Sequence, residues 1–253
     1  MIMHKSGLLR ADLDPSHWLG STPILDLSDD RLRLRAKSLT QLAKSDRERA
    51  ISIYAYVKAM PYCAPGGVRF PTARQLMDAK EGDCYGKSTL FVALLRLADI
   101  PARLRFVQLK GELLRGYVNG LDRITHAIVE IWLDGRWVKT DTHVFDIRYL
   151  ATARDRLNAA GWDMGYSIHR KAQSIWDGRN DAFSALTPDE DSGMPLADLG
   201  VYNDVQEFLG FASTQRDPFA LLKAVRWNVF TGRMARGIRE LREEEAQAHT
   251  ATV

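Results

Sequence analysis

Three residues of this sequence have the types and the order that acyl transfer by a thiol requires: Cys84, His126 and Asp141. Cys84 follows Gly82-Asp83 and opens a long amphipathic stretch, which places its thiol in the first turn of a predicted helix. Unpaired N–H groups and the positive end of the helix dipole favour a thiolate, so we expect a lowered pKa for Cys84. A histidine and a carboxylate downstream supply a base and a residue that orients it.

The segments that carry His126 and Asp141 are predicted to form one β-hairpin. Asp134-Gly135 is the preferred dipeptide of a two-residue type I′ turn, and it separates strand-like residues 124–133 from residues 136–145. The hairpin therefore brings the proposed base and carboxylate into the same sheet.

The register of this hairpin tests the proposed pair. With a two-residue turn, Asp141 lies opposite Ile128 and His143 lies opposite His126. Because side chains alternate along a strand, His126 and Asp141 share a face as diagonal neighbours, with backbones about 7–8 Å apart. A three-residue turn without a bulge would move Asp141 to the wrong face. On this register His143 is a second candidate, as a partner of His126 or as the base itself.

The rest of the pattern predicts an α+β fold. We expect residues 1–45 to form an N-terminal extension and helix, residues 46–150 a catalytic core, and residues 151–253 a helical C-terminal region packed on that core. The stretch over 177–200 is polar and contains Pro and Gly, which predicts a loop or linker.

Composition excludes several classes of protein. The chain has 253 residues, of which 45% are hydrophobic and 26% charged, as is ordinary for a globular protein. A net charge of +3 gives no argument for a nucleic-acid partner. The first residues lack the apolar segment of a signal peptide and no run of 18 apolar residues occurs, so we expect a cytoplasmic protein without a membrane partner. Cys63 and Cys84 form no CxxC motif, and no disulfide framework, metal site or cofactor is expected.

Each of the three residues also has an ordinary structural role. A single cysteine at a helix start is more often a small buried hydrophobe, a strand histidine is more often structural, and an aspartate at a strand end is usually a turn former. Their joint arrangement is what favours a thiol enzyme.

The same residues resemble those of the transglutaminase-like superfamily, over roughly residues 46–145. The matching segments are Gly82-Asp83-Cys84-Tyr85-Gly86-Lys87, Ile100-Pro101-Ala102-Arg103, Thr125-His126-Ala127-Ile128-Val129-Glu130 and Arg136-Trp137-Val138-Lys139-Thr140-Asp141. The resemblance implies a papain/transglutaminase-like core in which a nucleophile helix packs on an antiparallel sheet. It maps the nucleophile to Cys84, the base to His126 and the carboxylate to Asp141. The helical region after residue 150 has no counterpart in the family pattern, so the resemblance says little about the substrate.

The resulting function is cysteine-dependent acyl transfer on a peptide or other amide substrate through a Cys84 thioester. Hydrolysis, as by a peptidase or amidase, is the first hypothesis, because water needs no second binding site. Transfer to an amine acceptor, as by a transglutaminase or an amide-forming enzyme or cyclase, is the alternative. A third hypothesis is a non-catalytic module that binds peptides in the cleft.

Four further residues are candidates for substrate binding: His143, Trp132, Trp137 and Tyr85. An apolar tunnel around the two tryptophans would exclude water and favour the amine-transfer alternative. Two tryptophans after residue 150, Trp162 and Trp176, could either line the pocket or pack the C-terminal region onto the core. The sequence leaves the oligomeric state open.

Overall fold

The computed structural model of the protein describes residues 14–66, 70–187, 194–212 and 220–250. Residues 1–13 of the predicted N-terminal extension and part of the predicted loop over 177–200 lie outside the described residues. The division of the chain into three segments therefore stays a prediction.

Seven α-helices lie in these ranges, and side-chain caps account for where several of them begin. Ser45 and Asp146 each accept a hydrogen bond from a backbone N–H three residues later, and Thr72 and Gln75 form a reciprocal capping box. No helix in the part of the chain that the structure describes combines the length and the apolar character needed to cross a bilayer. The helices are α1 (Asp30–Thr40), α2 (Asp46–Ala59), α3 (Ala73–Ala79), α4 (Cys84–Leu97), α5 (Ile147–Ala160), α6 (Val205–Ala212) and α7 (Ala220–Thr250).

The strands form one antiparallel sheet of four and a separate small pair. The sheet has the order β3-β2-β1-β6, and β4 pairs with β5. The α+β fold class predicted from the sequence is confirmed, including the helix that begins at Cys84 and packs on the sheet. The strands are β1 (Ala102–Lys110), β2 (Arg123–Leu133), β3 (Arg136–Thr140), β4 (Met164–Gly165), β5 (Ile168–His169) and β6 (Ala197–Tyr202).

The β2–β3 turn has the predicted two residues. Leu133 pairs with Arg136, and both turn residues have positive φ, 51° at Asp134 and 79° at Gly135, as a type I′ turn requires. The predicted turn is confirmed, and so is its register from the pair Leu133–Arg136 to the pair Val129–Thr140.

Strand β3 is shorter than predicted and ends at Thr140 instead of residue 145. Thr140 makes a parallel bridge with Ala182, and the next N–H, that of Asp141, donates to the Ala182 carbonyl at 3.3 Å. The Val144 N–H then donates to the Asp141 carbonyl at 3.0 Å and closes a turn. The chain therefore leaves β2 before His143, and His143 does not lie opposite His126. That part of the predicted register is wrong.

The two faces of β2 contact different hydrophobic cores. Ala127, Val129 and Ile131 face the first core, in which α4 is buried from Gly86 to Arg96. Ile128 faces the second core, to which α5 and the last helix contribute. Alternation along β2 gives His126 the same face as Ile128. The base predicted from the sequence thus lies on the face covered by the C-terminal part of the chain.

Candidate active site

Cys84 is the first residue of α4, and its position depends on the cap before it. Asp83 accepts a hydrogen bond from the Gly86 N–H at 2.8 Å and so fixes the start of the helix. A Cβ at Gly86 would lie 2.5 Å from a Leu76 methyl carbon, so a larger residue here would force the Leu76 side chain of α3 to shift. The thiol of Cys84 is half-buried and lines a cavity.

Burial and the neighbouring Asp83 carboxylate raise the pKa of the Cys84 thiol well above its ordinary value. The N–H groups of Tyr85, Ala127 and Cys84 itself act in the opposite direction, but they do not reverse the shift. The expectation of a lowered pKa was therefore wrong in direction, because desolvation outweighs the helix terminus. A thiolate at this position needs a cation beside it.

His126 and Asp141 come together as predicted. The His126 Nε2 and Asp141 Oδ2 atoms lie 2.9 Å apart, and both residues are buried. Since Nε2 bonds to the carboxylate, Nδ1 is the ring nitrogen left to exchange a proton with a thiol. His126 lines the same cavity as Cys84.

Two backbone N–H groups hold the Asp141 carboxylate in addition to the imidazole. Ser184 donates to Oδ1 at 2.5 Å and Ala185 donates to Oδ2 at 3.1 Å. The segment over 183–185, which carries these donors, is itself fixed by Gln173, whose Oε1 accepts a hydrogen bond from the Phe183 N–H at 2.8 Å. The sequence analysis missed this segment because it interpreted the region only as a loop or linker, and a backbone donor carries no residue-type signal.

The cavity has a volume of about 850 Å³, and both the predicted catalytic core and the region after residue 150 contribute residues to its lining. Tyr85, one of the predicted substrate-binding residues, lines it, and the Tyr85 hydroxyl donates to the Thr125 carbonyl at 3.1 Å. Phe230 and Arg233 of α7 line it as well. The C-terminal helix therefore contributes to the lining of this cavity. The sequence alone left open whether the region after residue 150 lines the pocket or only packs on the core.

His143 lies away from the cavity, in the packed interior. Its Nε2 is 2.9 Å from the Ser88 Oγ, and its ring centroid is 4.9 Å from that of Phe91. The side chain is fully buried, and burial followed by the charge of Lys87 lowers its pKa well below the usual range. The prediction of His143 as a substrate-binding residue or alternative base is corrected: it packs against α4.

Trp132 and Trp137 do not line the cavity either. They face each other at the turn end of the hairpin, with ring centroids 5.4 Å apart, and the Arg103 guanidinium lies 3.9 Å from the Trp137 ring centroid. Trp132 is six residues along β2 from His126, about 20 Å at the spacing of an extended strand. Neither tryptophan lies among the described residues that line the cavity with Cys84, so their predicted role in substrate binding at this site is corrected.

The tryptophans after residue 150 also lie elsewhere. Trp176 is buried against Tyr54, with ring centroids 5.5 Å apart, and its Nε1 donates to the Asn180 carbonyl at 2.9 Å. Trp162 lines smaller depressions outside the cavity. Of the two predicted roles, Trp176 has the packing one.

The pKa of the second cysteine, Cys63, is shifted in the same direction as that of Cys84. Burial, followed by the charges of Asp83 and Glu81, raises the pKa of the Cys63 thiol to about 12. Both cysteines are free thiols. Among the side chains that the structure describes, no group of three His, Cys, Asp or Glu comes together as a metal site.

Comparisons with known proteins give one family match and two distant structural similarities. Residues 33–142 match the model of the family described as the transglutaminase-like superfamily. The structure of a candidate cysteine protease from Cytophaga hutchinsonii is 22% identical, with a TM-score of 0.41, over 51% of this chain and 42% of that one. A candidate protease from Parabacteroides distasonis is 14% identical, with a TM-score of 0.35, over 49% of this chain and 26% of that one. The chain thus spans less than half of either protein. No curated protein matches it.

Proposed function

We propose, from the match of residues 33–142 to the transglutaminase-like superfamily, that the protein transfers an acyl group through a thioester on Cys84. The match to this family supports cysteine-type enzyme activity in general. The observation that carries the finer proposal is the His126–Asp141 pair, 2.9 Å apart, beside a cavity that also contains Cys84.

In the first step, the Cys84 thiol gives its proton to Nδ1 of His126 and the sulfur attacks the carbonyl carbon of an amide. The resulting imidazolium supplies the cation that the thiolate needs in this buried position. The carbonyl oxygen becomes an oxyanion, and the N–H of Cys84, in the first turn of α4, is one donor to it. A donor of this kind contributes about 3–4 kcal/mol to the transition state.

In the second step, the His126 imidazolium protonates the leaving nitrogen, the carbon–nitrogen bond breaks, and the acyl group stays on Cys84 as a thioester. Asp141 stabilises the imidazolium and keeps Nε2 turned away from the thiol. Ser184 and Ala185 support this role, because their N–H groups hold the carboxylate in place.

Hydrolysis completes the proposed reaction. A water molecule gives a proton to His126 and its oxygen attacks the thioester. The carbon–sulfur bond then breaks, the His126 imidazolium returns the proton to the sulfur, and a carboxylic acid and the free thiol are released. An amine in place of water would give a new amide. Hydrolysis is the leading hypothesis because water needs no second binding site, whereas an amine acceptor does.

The proposal is tested by trapping the acyl-enzyme. The protein is treated with p-nitrophenyl acetate, and peptide mass spectrometry locates the acetyl group. We expect it on Cys84 in the wild type and in Cys63→Ser, and on neither cysteine in His126→Ala at the same exposure. Adding hydroxylamine then compares the acceptors, since the ratio of hydroxamate to acetic acid measures how well a nitrogen nucleophile competes with water for the thioester.

Acetylation of Cys63 instead of Cys84, or equal acetylation of Cys84 with and without His126, would contradict the proposal. An unmodified protein whose Cys84 is readily alkylated by iodoacetamide would support the third hypothesis, a binding module.

A further inference from the structure

The walls of the cavity differ in character from its catalytic end. Apolar side chains from separate parts of the chain make up most of the lining away from Cys84 and His126. They come from the segment after β1, from the loop before β2, and from α7: Leu113, Leu114, Val118, Leu121, Phe230 and Met234. A volume of about 850 Å³ with such a lining suits a bulky apolar group.

The charges on the lining are unbalanced. Arg123 and Arg233 both line the cavity and both are exposed to solvent. Among the described residues of the lining, Asp83 is the only carboxylate, and it is engaged in capping α4 through the Gly86 N–H. Away from the thiol, the cavity therefore presents positive charge on an apolar background.

The wall that carries Arg233 is fixed to the rest of the molecule. Arg242, on the same helix, donates to both carboxylate oxygens of Asp146, at 2.9 and 2.6 Å, and to the Tyr62 carbonyl at 3.2 Å. Gly237 lies so close to Tyr117 that a Cβ there would be 2.4 Å from the Tyr117 ring. The contacts of Gly237 and Arg242, in the turns of α7 that follow Arg233, thus fix the position of Arg233 at the cavity.

We propose that the acyl substrate of this site is an amphipathic anion: a bulky apolar group that carries a carboxylate, which Arg123 and Arg233 bind. That the bound molecule is an acyl donor rests on the proposed function. The anion preference itself depends only on the cavity. Arg123 is three residues from His126 on β2, which separates their backbones by about 10 Å along the strand.

The test compares three probes of one shape: 4-phenylbutyrate, its neutral analogue 4-phenylbutanamide, and the cation 4-phenylbutylammonium. Titration calorimetry gives the affinity of each. Protection of Cys84 from iodoacetamide, followed by peptide mass spectrometry, shows whether the probe lies in this cavity. We expect the anion to bind about fivefold more tightly than the amide, the size of one solvent-accessible charge pair, and the cation to bind most weakly. Added salt should reduce the difference.

Variants locate the preference. Arg233→Gln and Arg123→Gln should each reduce the anion preference, and the double variant should remove it. Arg233→Lys should keep most of it, because the charge remains. Arg239→Gln is the matched control, since Arg239 is exposed on the same helix and does not line the cavity.

Equal affinity for the anion and the amide in the wild type would overturn the inference. So would an anion preference that survives in the double variant, binding that leaves Cys84 unprotected, or no binding of any probe. Failure of the proposed function is distinct: Cys84 would form no acyl-enzyme while the anion preference and its loss in the double variant were still measured.

Discussion

The two ends of the β2–β3 hairpin each bury a carboxylate, and they use it differently. At the turn end, the Glu130 carboxylate lies 2.6 Å from Arg103 and 2.5 Å from Arg105, and all of its charge is matched by guanidinium groups. At the open end, the Asp141 carboxylate lies 2.9 Å from His126 and accepts two backbone N–H groups. Both carboxylates are fully buried.

The partner of each carboxylate determines what its end of the hairpin can do. A guanidinium keeps its proton at every pH a protein meets, so the Glu130 cluster can only hold the strands together. An imidazole can accept a proton and give it up again, so the His126–Asp141 pair can pass one to a neighbour. The His126 end also borders the cavity, whereas the paired tryptophans at the turn end do not. Of these two buried carboxylates, only Asp141 has a partner that can exchange a proton and that faces a cavity, so only its end of the hairpin is a candidate site.

The largest expected effect is on turnover at the open end. Asp141→Asn should lower acylation of Cys84 by about 10³–10⁴-fold, because the amide cannot stabilise the imidazolium and can hold the wrong tautomer. Stopped-flow measurement of nitrophenol release, corrected for the folded fraction, gives the rate. A loss of less than tenfold would mean that His126 works without Asp141.

The matched change at the turn end should act on stability instead. Glu130→Ala leaves the buried charge of Arg103 without its carboxylate, which costs about 3–5 kcal/mol of unfolding free energy. Denaturant unfolding measures this, with Glu112→Ala, an exposed glutamate, as the control. The acylation rate per folded molecule should change little. If Glu130→Ala lowered that rate as far as Asp141→Asn does, the distinction between the two ends would fail.

Much of this hairpin could be predicted because its signals are local. Asp134-Gly135 specifies a two-residue turn through the positive φ of both residues, and the turn fixes the pairing of Leu133 with Arg136. Pairing and alternation then place His126 and Asp141 on one face. The start of α4 was equally local, since Asp83 caps it within three residues.

The errors all come from contacts between distant parts of the chain. The end of β3 at Thr140 depends on Ala182, more than forty residues later, which the sequence pattern does not reveal. His143 was misplaced for that reason. The direction of the Cys84 pKa shift depends on burial, which only the assembled cavity determines. The contribution of α7 to the lining was likewise invisible without the fold.

The smallest expected effect is at His143. His143→Phe keeps an aromatic ring against Phe91 but removes the bond to Ser88, so we expect a loss of about 1–3 kcal/mol of unfolding free energy. Acetylation of Cys84 should persist within a fewfold of the wild-type rate. Thermal and denaturant unfolding, measured beside the acetylation rate, check both parts. Loss of acetylation with unchanged stability would restore His143 as a candidate base.

The central claim is that His126 activates a thiol whose surroundings otherwise disfavour ionisation. The most direct measurement is the rate of Cys84 alkylation by iodoacetamide as a function of pH, in the wild type and in His126→Ala, with Cys63 as an internal reference. Because burial and Asp83 raise the pKa of the thiol, removing the imidazole should leave it unreactive until alkaline pH. We expect the variant to react at least about tenfold more slowly near pH 7, the effect of one unit of thiol pKa. Superimposable profiles for the two proteins would contradict the account.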